Sequence, residues 1–84
     1  MKEKENLILK FSGPANYQIV VDGELSERWA EHLNGMEITK DSKKFSRTVS
    51  VLTGMLQDQA ALIGVVNALY DLHLSIISVA RTDE

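Results

Sequence analysis

Apolar and polar positions alternate along the first half of the chain and shift to a helical period in the second. Tyr17, Ile19 and Val21 alternate with Gln18, Val20 and Asp22, which predicts a half-buried strand over 17–23. Upstream, Leu7, Leu9 and Phe11 alternate with Ile8 and Lys10, a weaker pattern that predicts an extra strand or arm over 6–12. Ser12-Gly13-Pro14-Ala15-Asn16 is a turn-like break between the two, so 6–12 is a candidate hairpin partner of 17–23. Met36 to Lys40 reads as a strand, and Phe45 to Thr53 as another, with Val49 and Val51 on one face and Leu52 on the other. A polar turn at 40–44 makes these two a hairpin.

Two helices are predicted. The first covers about 27–33. Ser26 is suited to accept an unpaired N–H at its start, Glu27 suits the positive end of the dipole, and Asn34-Gly35 suits a left-handed stop. It is too short to be stable without tertiary packing. Trp29 and Leu33, four apart, share its inward face. The second covers about 57–72. Leu62, Val65, Val66, Leu69 and Leu72 form one core stripe, and Asp58 stands at the N-cap or in the first turn. The apolar run 74–80 then reads as an interior strand with both faces at least partly covered.

The order strand, short helix, strand, strand, long helix, strand is the β-α-β-β-α-β order of a ferredoxin-like α+β sandwich, a two-layer fold on a four-stranded, mainly antiparallel sheet. The first connection is near the minimum length for a parallel crossover. The alternative is therefore a β-meander of the first three strands with one long helix and a last strand. A hairpin between 6–12 and 17–23 favours that alternative, because in the ferredoxin-like order both edges of the first strand are already taken.

Composition narrows the field without naming a function. The 84 residues suit a single domain, 1–84, that buries roughly 63% of its unfolded surface, with 1–5 expected to be disordered. Such a core leaves little room for a deep catalytic cleft. There is no cysteine, which excludes disulfides and cysteine-ligated metals. The net charge of -3 argues against a nucleic-acid partner. No apolar run is long enough to cross a membrane or to form a signal-peptide core, so a cytoplasmic, non-membrane protein is expected.

Several blocks carry a resemblance. They are Gly23-Glu24-Leu25-Ser26-Glu27-Arg28-Trp29, Gly35-Met36-Glu37-Ile38-Thr39, Thr53-Gly54, Asp58-Gln59-Ala60-Ala61-Leu62 with Gly64, and Asp71-Leu72 followed by Leu74 and Ile76-Ile77-Ser78-Val79. Over about three quarters of its length the chain resembles a family of short prokaryotic proteins of unassigned function. The resemblance implies a small α+β domain and carries no activity. The chain departs from the family's pattern at Met55 and Ser75, where proline is common, at Ile63, where histidine is common, and at His73, where glycine is usual. A glycine at 73 would end the long helix in a left-handed cap.

Candidate chemistry is sparse. His32 and His73 have no partner at ligand spacing, and neither a metal nor a cofactor is expected. Asp22, Glu24, Glu27 and Glu31 form an acidic stretch, read first as a solvated face. Lys40, Lys43, Lys44 and Arg47 give the segment 38–47 a local charge of +3, a candidate patch for an anion or an acidic partner. Between Gln57 and Leu72 the only charged residues are Asp58 and Asp71. Opposite the core stripe, Ala60, Gly64 and Ala68 form a ridge of small residues with Asn67 beside it, flanked by Ile63 and Tyr70. A helix covering a sheet normally shows water a charged outer face, so these six residues are the candidate interaction surface. The expected role is a non-enzymatic interaction or assembly module. It would associate with itself, or with another protein, through this helix face or an edge strand. A small-ligand-binding regulatory domain is the alternative. A small enzyme built on the carboxylates of 22–31 and a histidine is third.

Overall fold

The computed structural model describes residues 14–41 and 47–82. The expected disordered start 1–5, the expected strand 6–12, and Lys43, Lys44 and Phe45 lie outside the described residues. Among the described residues there are four strands: β1 (Ala15–Asp22), β2 (Glu37–Asp41), β3 (Val49–Leu56) and β4 (Ser75–Arg81). A 3₁₀ helix, Glu27–Leu33, joins β1 to β2, and one α-helix, α1 (Gln59–Asp71), joins β3 to β4. The sheet order is β2-β3-β1-β4 with every neighbouring pair antiparallel. This is the ferredoxin-like arrangement. The meander does not form, because β1 pairs with β3 and β4 rather than with β2. β3 occupies one side of β1 along its whole length and β4 the other from Tyr17 onward.

The period-two pattern sets which face is buried. Ala15, Tyr17, Ile19 and Val21 of β1 point to the helices and are buried, and register places Leu56, Gly54, Leu52 and Ser50 of β3 beside them. Val65 and Leu69 of α1 and Leu33 of the 3₁₀ helix close this core. Gly54 takes φ 157°, a conformation that favours glycine, beside the start of β2, where a Cβ would touch the Met36 Cα at 3.4 Å.

The crossover between β1 and β2 solves its shortage of length by tightening the helix. At a rise of about 2.0 Å per residue a 3₁₀ helix reaches about a third further than an α-helix of the same length. Ser26 caps it, its hydroxyl accepting from the Arg28 N–H at 3.3 Å. Asn34, at φ 63°, supplies the left-handed stop. The tighter winding changes the inward face. In a 3₁₀ helix residues three apart eclipse, so Ala30 and Leu33 line the core side and Trp29 is half-buried at its flank. The Trp29 and His32 rings, also three residues apart, meet at a tilt of 52° with centroids 5.4 Å apart.

The long helix follows its predicted limits closely. Asp58 caps it, its carboxylate accepting from the Ala61 N–H at 2.9 Å. At the other end His73 takes φ 63°. The His73 N–H donates to the Tyr70 carbonyl at 2.9 Å and the Leu74 N–H to the Leu69 carbonyl at 3.1 Å. This is a Schellman termination with histidine in the position that glycine favours. The run 74–80 departs from expectation. It forms β4 at the sheet edge rather than in the interior, and most of its residues are exposed.

Candidate functional site

Among the described residues, the exposed large apolar side chains are Met55 on β3, Ile63 and Tyr70 on α1, and Ile77 and Val79 on β4. Tyr70 is 76% exposed and Ile63 is 50% exposed, two helical turns apart on α1, with Val66 between them. Val66 and Tyr70 overhang a groove of about 630 Å³ whose other lining residues include His73, Leu74, Ser75 and Ile76. The flank of α1 that carries Ile63 and Tyr70 therefore looks toward β4. On β4, Ile77 is 42% and Val79 43% exposed. The groove joins this helix flank to the start of β4 through Val66, Tyr70 and Ile76.

Of the four remaining candidate residues of α1, three lie on its solvent side and Ala68 does not. Ala60, Gly64 and Asn67 are exposed, and Ala68 is half-buried against the core. A Cβ built at Gly64 meets nothing within 4 Å. No packing among the described residues calls for glycine at this position.

The two sheet edges differ in chemistry. β2 carries Glu37, Lys40 and Asp41 among its five residues, whereas β4 carries only Arg81 among its seven. Charged residues on an edge discourage pairing with another strand. Beyond its pairing with β1, β4 has no strand neighbour among the described residues. Its backbone groups can be assigned by direction. The Thr82 N–H donates to the Asn16 carbonyl at 2.9 Å. Antiparallel pairs alternate between bonded and non-bonded, so Ala80 and Ser78 face β1, and the N–H and C=O of Val79 and Arg81 face outward. A bulge at Val20/Val21 interrupts this alternation on the other side of Ser78.

The acidic and basic segments come together instead of forming separate patches. The Lys40 ammonium meets the Glu24 carboxylate at 2.6 Å, and the Arg47 guanidinium meets Asp22 at 2.8 Å. The hydrogen bond from Lys40 holds the Glu24 carboxyl below its ordinary range, and the same bond raises Lys40. Of the proposed anion patch, then, Lys40 and Arg47 each have a carboxylate partner. Among the described residues no group of three or more histidines and carboxylates gathers as a metal site. No described helix is long and apolar enough to cross a membrane.

Sequence reasoning missed Ile77 and Val79 as surface residues. An apolar run carries no mark that separates an interior strand from an unprotected edge. The absence of charge between Leu72 and Ala80 was the available signal.

Fold and surface together define a small ferredoxin-like α+β domain with one charged sheet edge and one apolar edge. The chain belongs to the family described as Domain of unknown function (DUF8691), whose model matches residues 16–80. No curated protein and no solved structure matches the chain.

Proposed function

We propose that this domain is a non-enzymatic interaction module that associates with a second copy of itself, or with a protein partner, through α1 and the neighbouring edge of β4. The observation that carries this is the exposure of Tyr70 and Ile63 on α1 and of Ile77 and Val79 on the neighbouring β4. Apolar surface gathered on neighbouring elements marks interaction sites more often than scattered single residues do. The uncharged character of α1 outside Asp58 and Asp71 adds to it. Sedimentation equilibrium from micromolar to millimolar protein tests the self-association. The expected result is a mass above that of one chain, lowered by Tyr70→Glu or Ile63→Glu. A single-chain mass at every concentration, unchanged by either substitution, removes self-association and leaves only a separate partner.

The groove below Tyr70 supports a second reading, a small-ligand site. Its volume is in the range of small-molecule pockets, and Asp71, His73 and Ser75 supply polar groups beside Val66, Leu74 and Ile76. A thermal-shift screen of nucleotides, amino acids and anions tests it. Stabilisation abolished by Val66→Glu supports the ligand site, and no stabilisation by any compound removes it. The anion patch at Lys40, Lys43, Lys44 and Arg47 has weaker support, because Lys40 and Arg47 are already paired.

A further inference from the structure

We infer that α1 packs antiparallel against the α1 of a second copy, about a two-fold axis level with Val65. This rests on the interaction-module reading and specifies its partner and geometry. The exposed residues Ala60, Ile63, Asn67 and Tyr70 stand three, four and three positions apart. That spacing is the a and d pattern of a heptad seam, the stripe by which one helix packs on another. The buried Val65 and Leu69 lie on the other side of α1 and meet the core. The helix thus carries two stripes, and the rest of the chain covers one of them.

The outer stripe is its own complement when reversed. With the axis level with Val65, Tyr70 of one copy stands opposite Ala60 of the other, and Ile63 opposite Asn67, in four layers. The largest side chain of the seam meets the smallest at both ends. Each Asn67 enters the hole that Ala60, Ile63, Gly64 and Asn67 frame on the facing helix. Gly64 leaves one corner of that hole open, since a Cβ there would meet nothing within 4 Å among the described residues. The two Asn67 carboxamides come to the same side of the axis, and each can donate and accept.

Charge favours this orientation. No charged residue lies between Asp58 and Asp71, so the seam of one copy brings no charge against the seam of the other. Asp71, at the rim, comes beside the first turn of the copy's α1, where the helix dipole favours a carboxylate. Asp58 is set almost opposite the seam by the helical period, and its carboxylate is held by the Ala61 N–H. A parallel pair would instead set Tyr70 on Tyr70 and Asp71 beside Asp71, with the two helix dipoles aligned. The seam is about 20 Å long. Covering it in both copies removes on the order of 1,000 Å² from water, the size of a small, reversible interface, so the dimer forms in the micromolar range or above. Ile77 and Val79 of β4 stay outside the contact.

The absence of cysteine makes the test of orientation direct. Ala60→Cys and Tyr70→Cys, mixed as two single variants of the full chain and mildly oxidised, are expected to give chiefly the mixed disulfide, read by mass spectrometry. In the antiparallel pair two copies of either thiol are about 15 Å apart along the helix. Sedimentation equilibrium then tests the seam. Asn67→Leu replaces a polar group that costs a seam stability and is expected to tighten association at least tenfold. Asn67→Asp is expected to weaken it at least tenfold, and Val79→Lys to leave it unchanged within twofold. Position 67 is exposed, and circular dichroism confirms the fold of each variant. Chiefly 60–60 and 70–70 disulfides overturn the antiparallel geometry. A dimer that ignores both Asn67 variants and dissociates on Val79→Lys overturns the helix seam and leaves the interaction module standing on β4. A monomer at all concentrations, Asn67→Leu included, overturns the inference and the self-association together.

Discussion

The hydroxyl of Ser50 accepts the Leu25 N–H at 2.8 Å in a site with no exposure to solvent. The same hydroxyl donates to the Gly23 carbonyl at 2.8 Å. Ser50 is the only buried polar residue among those described. It takes over the backbone pairing where β1 ends, so the chain turns into the crossover without leaving a polar group stranded. Its side chain is a core position opposite Val21 in the ladder.

Ser50→Ala removes the partner of two backbone groups in one change. An unsatisfied buried group costs about 1–3 kcal/mol. The expected loss is about 2 kcal/mol, with the two groups sharing any water that enters. Urea denaturation reads it as a lower midpoint at constant slope. A midpoint within error of the parent would mean that the Gly23–Leu25 turn is held by Leu25 burial alone.

His73 sets up a prediction of the opposite sign. A non-glycine residue in the left-handed region costs roughly 1–2 kcal/mol, and His73 sits there at φ 63°. His73→Gly relieves that strain but adds freedom to the unfolded chain. A net gain of about 1 kcal/mol is expected, seen as a melting temperature several degrees higher. His73→Ala keeps the strain and is expected to give no gain. Equal melting temperatures for the two variants would show that the left-handed conformation at 73 costs a Cβ nothing net.

Local physics made much of the fold legible. The strand period at Tyr17, Ile19 and Val21, the caps at Ser26, Asn34 and Asp58, and the core stripe through Val65 and Leu69 all depend on neighbours within a few residues. Strand order does not. That β1 is central depends on Tyr17 pairing with both Gly54 and Arg81, contacts far apart in the chain. The exposure of β4 follows from the same long-range fact, which is why Ile77 and Val79 read as interior. The 3₁₀ winding of Glu27–Leu33 was hidden for another reason. It answers to the span that the crossover must cover, not to the propensities of its residues. Of the candidate surface, Ile63 and Tyr70 were legible from the helical period. The groove that joins their flank to β4 was not.

Gly64 separates chain stability from association. A Cβ at this position has open space around it, and alanine is favoured over glycine in a helix interior by about 1 kcal/mol. Gly64→Ala is expected to raise the unfolding midpoint of the isolated chain by that amount at dilute concentration. Paired with sedimentation, the same variant reports on the helix face. Unchanged association places the contact elsewhere, on the β4 edge, while weaker association despite a more stable fold marks a close approach at Gly64. A loss of stability at dilute concentration would contradict the open surroundings of the residue.

The Glu24–Lys40 pair ties the start of the crossover to β2 and gives stability a pH dependence whose sign is fixed. Glu24 has a carboxyl pKa lowered in the fold, chiefly by the hydrogen bond from Lys40. Its contribution is present above the unfolded carboxylate value and is lost as pH falls through the lower, folded one. Lys40 has a raised pKa from the same bond. Its contribution is present below the unfolded lysine value and is lost as pH rises through the higher, folded one. The pair therefore holds across neutral pH and weakens at both extremes. Both side chains are largely in water, so salt screens the attraction and the effect on stability is small. The titration itself is the better measurement. Carboxyl carbon NMR is expected to give Glu24 a midpoint below the ordinary carboxylate range, and Lys40→Gln is expected to return it to that range. Glu24 titrating identically in the parent and in Lys40→Gln would show that the pair does not persist in solution, and that Lys40 is available to the anion patch.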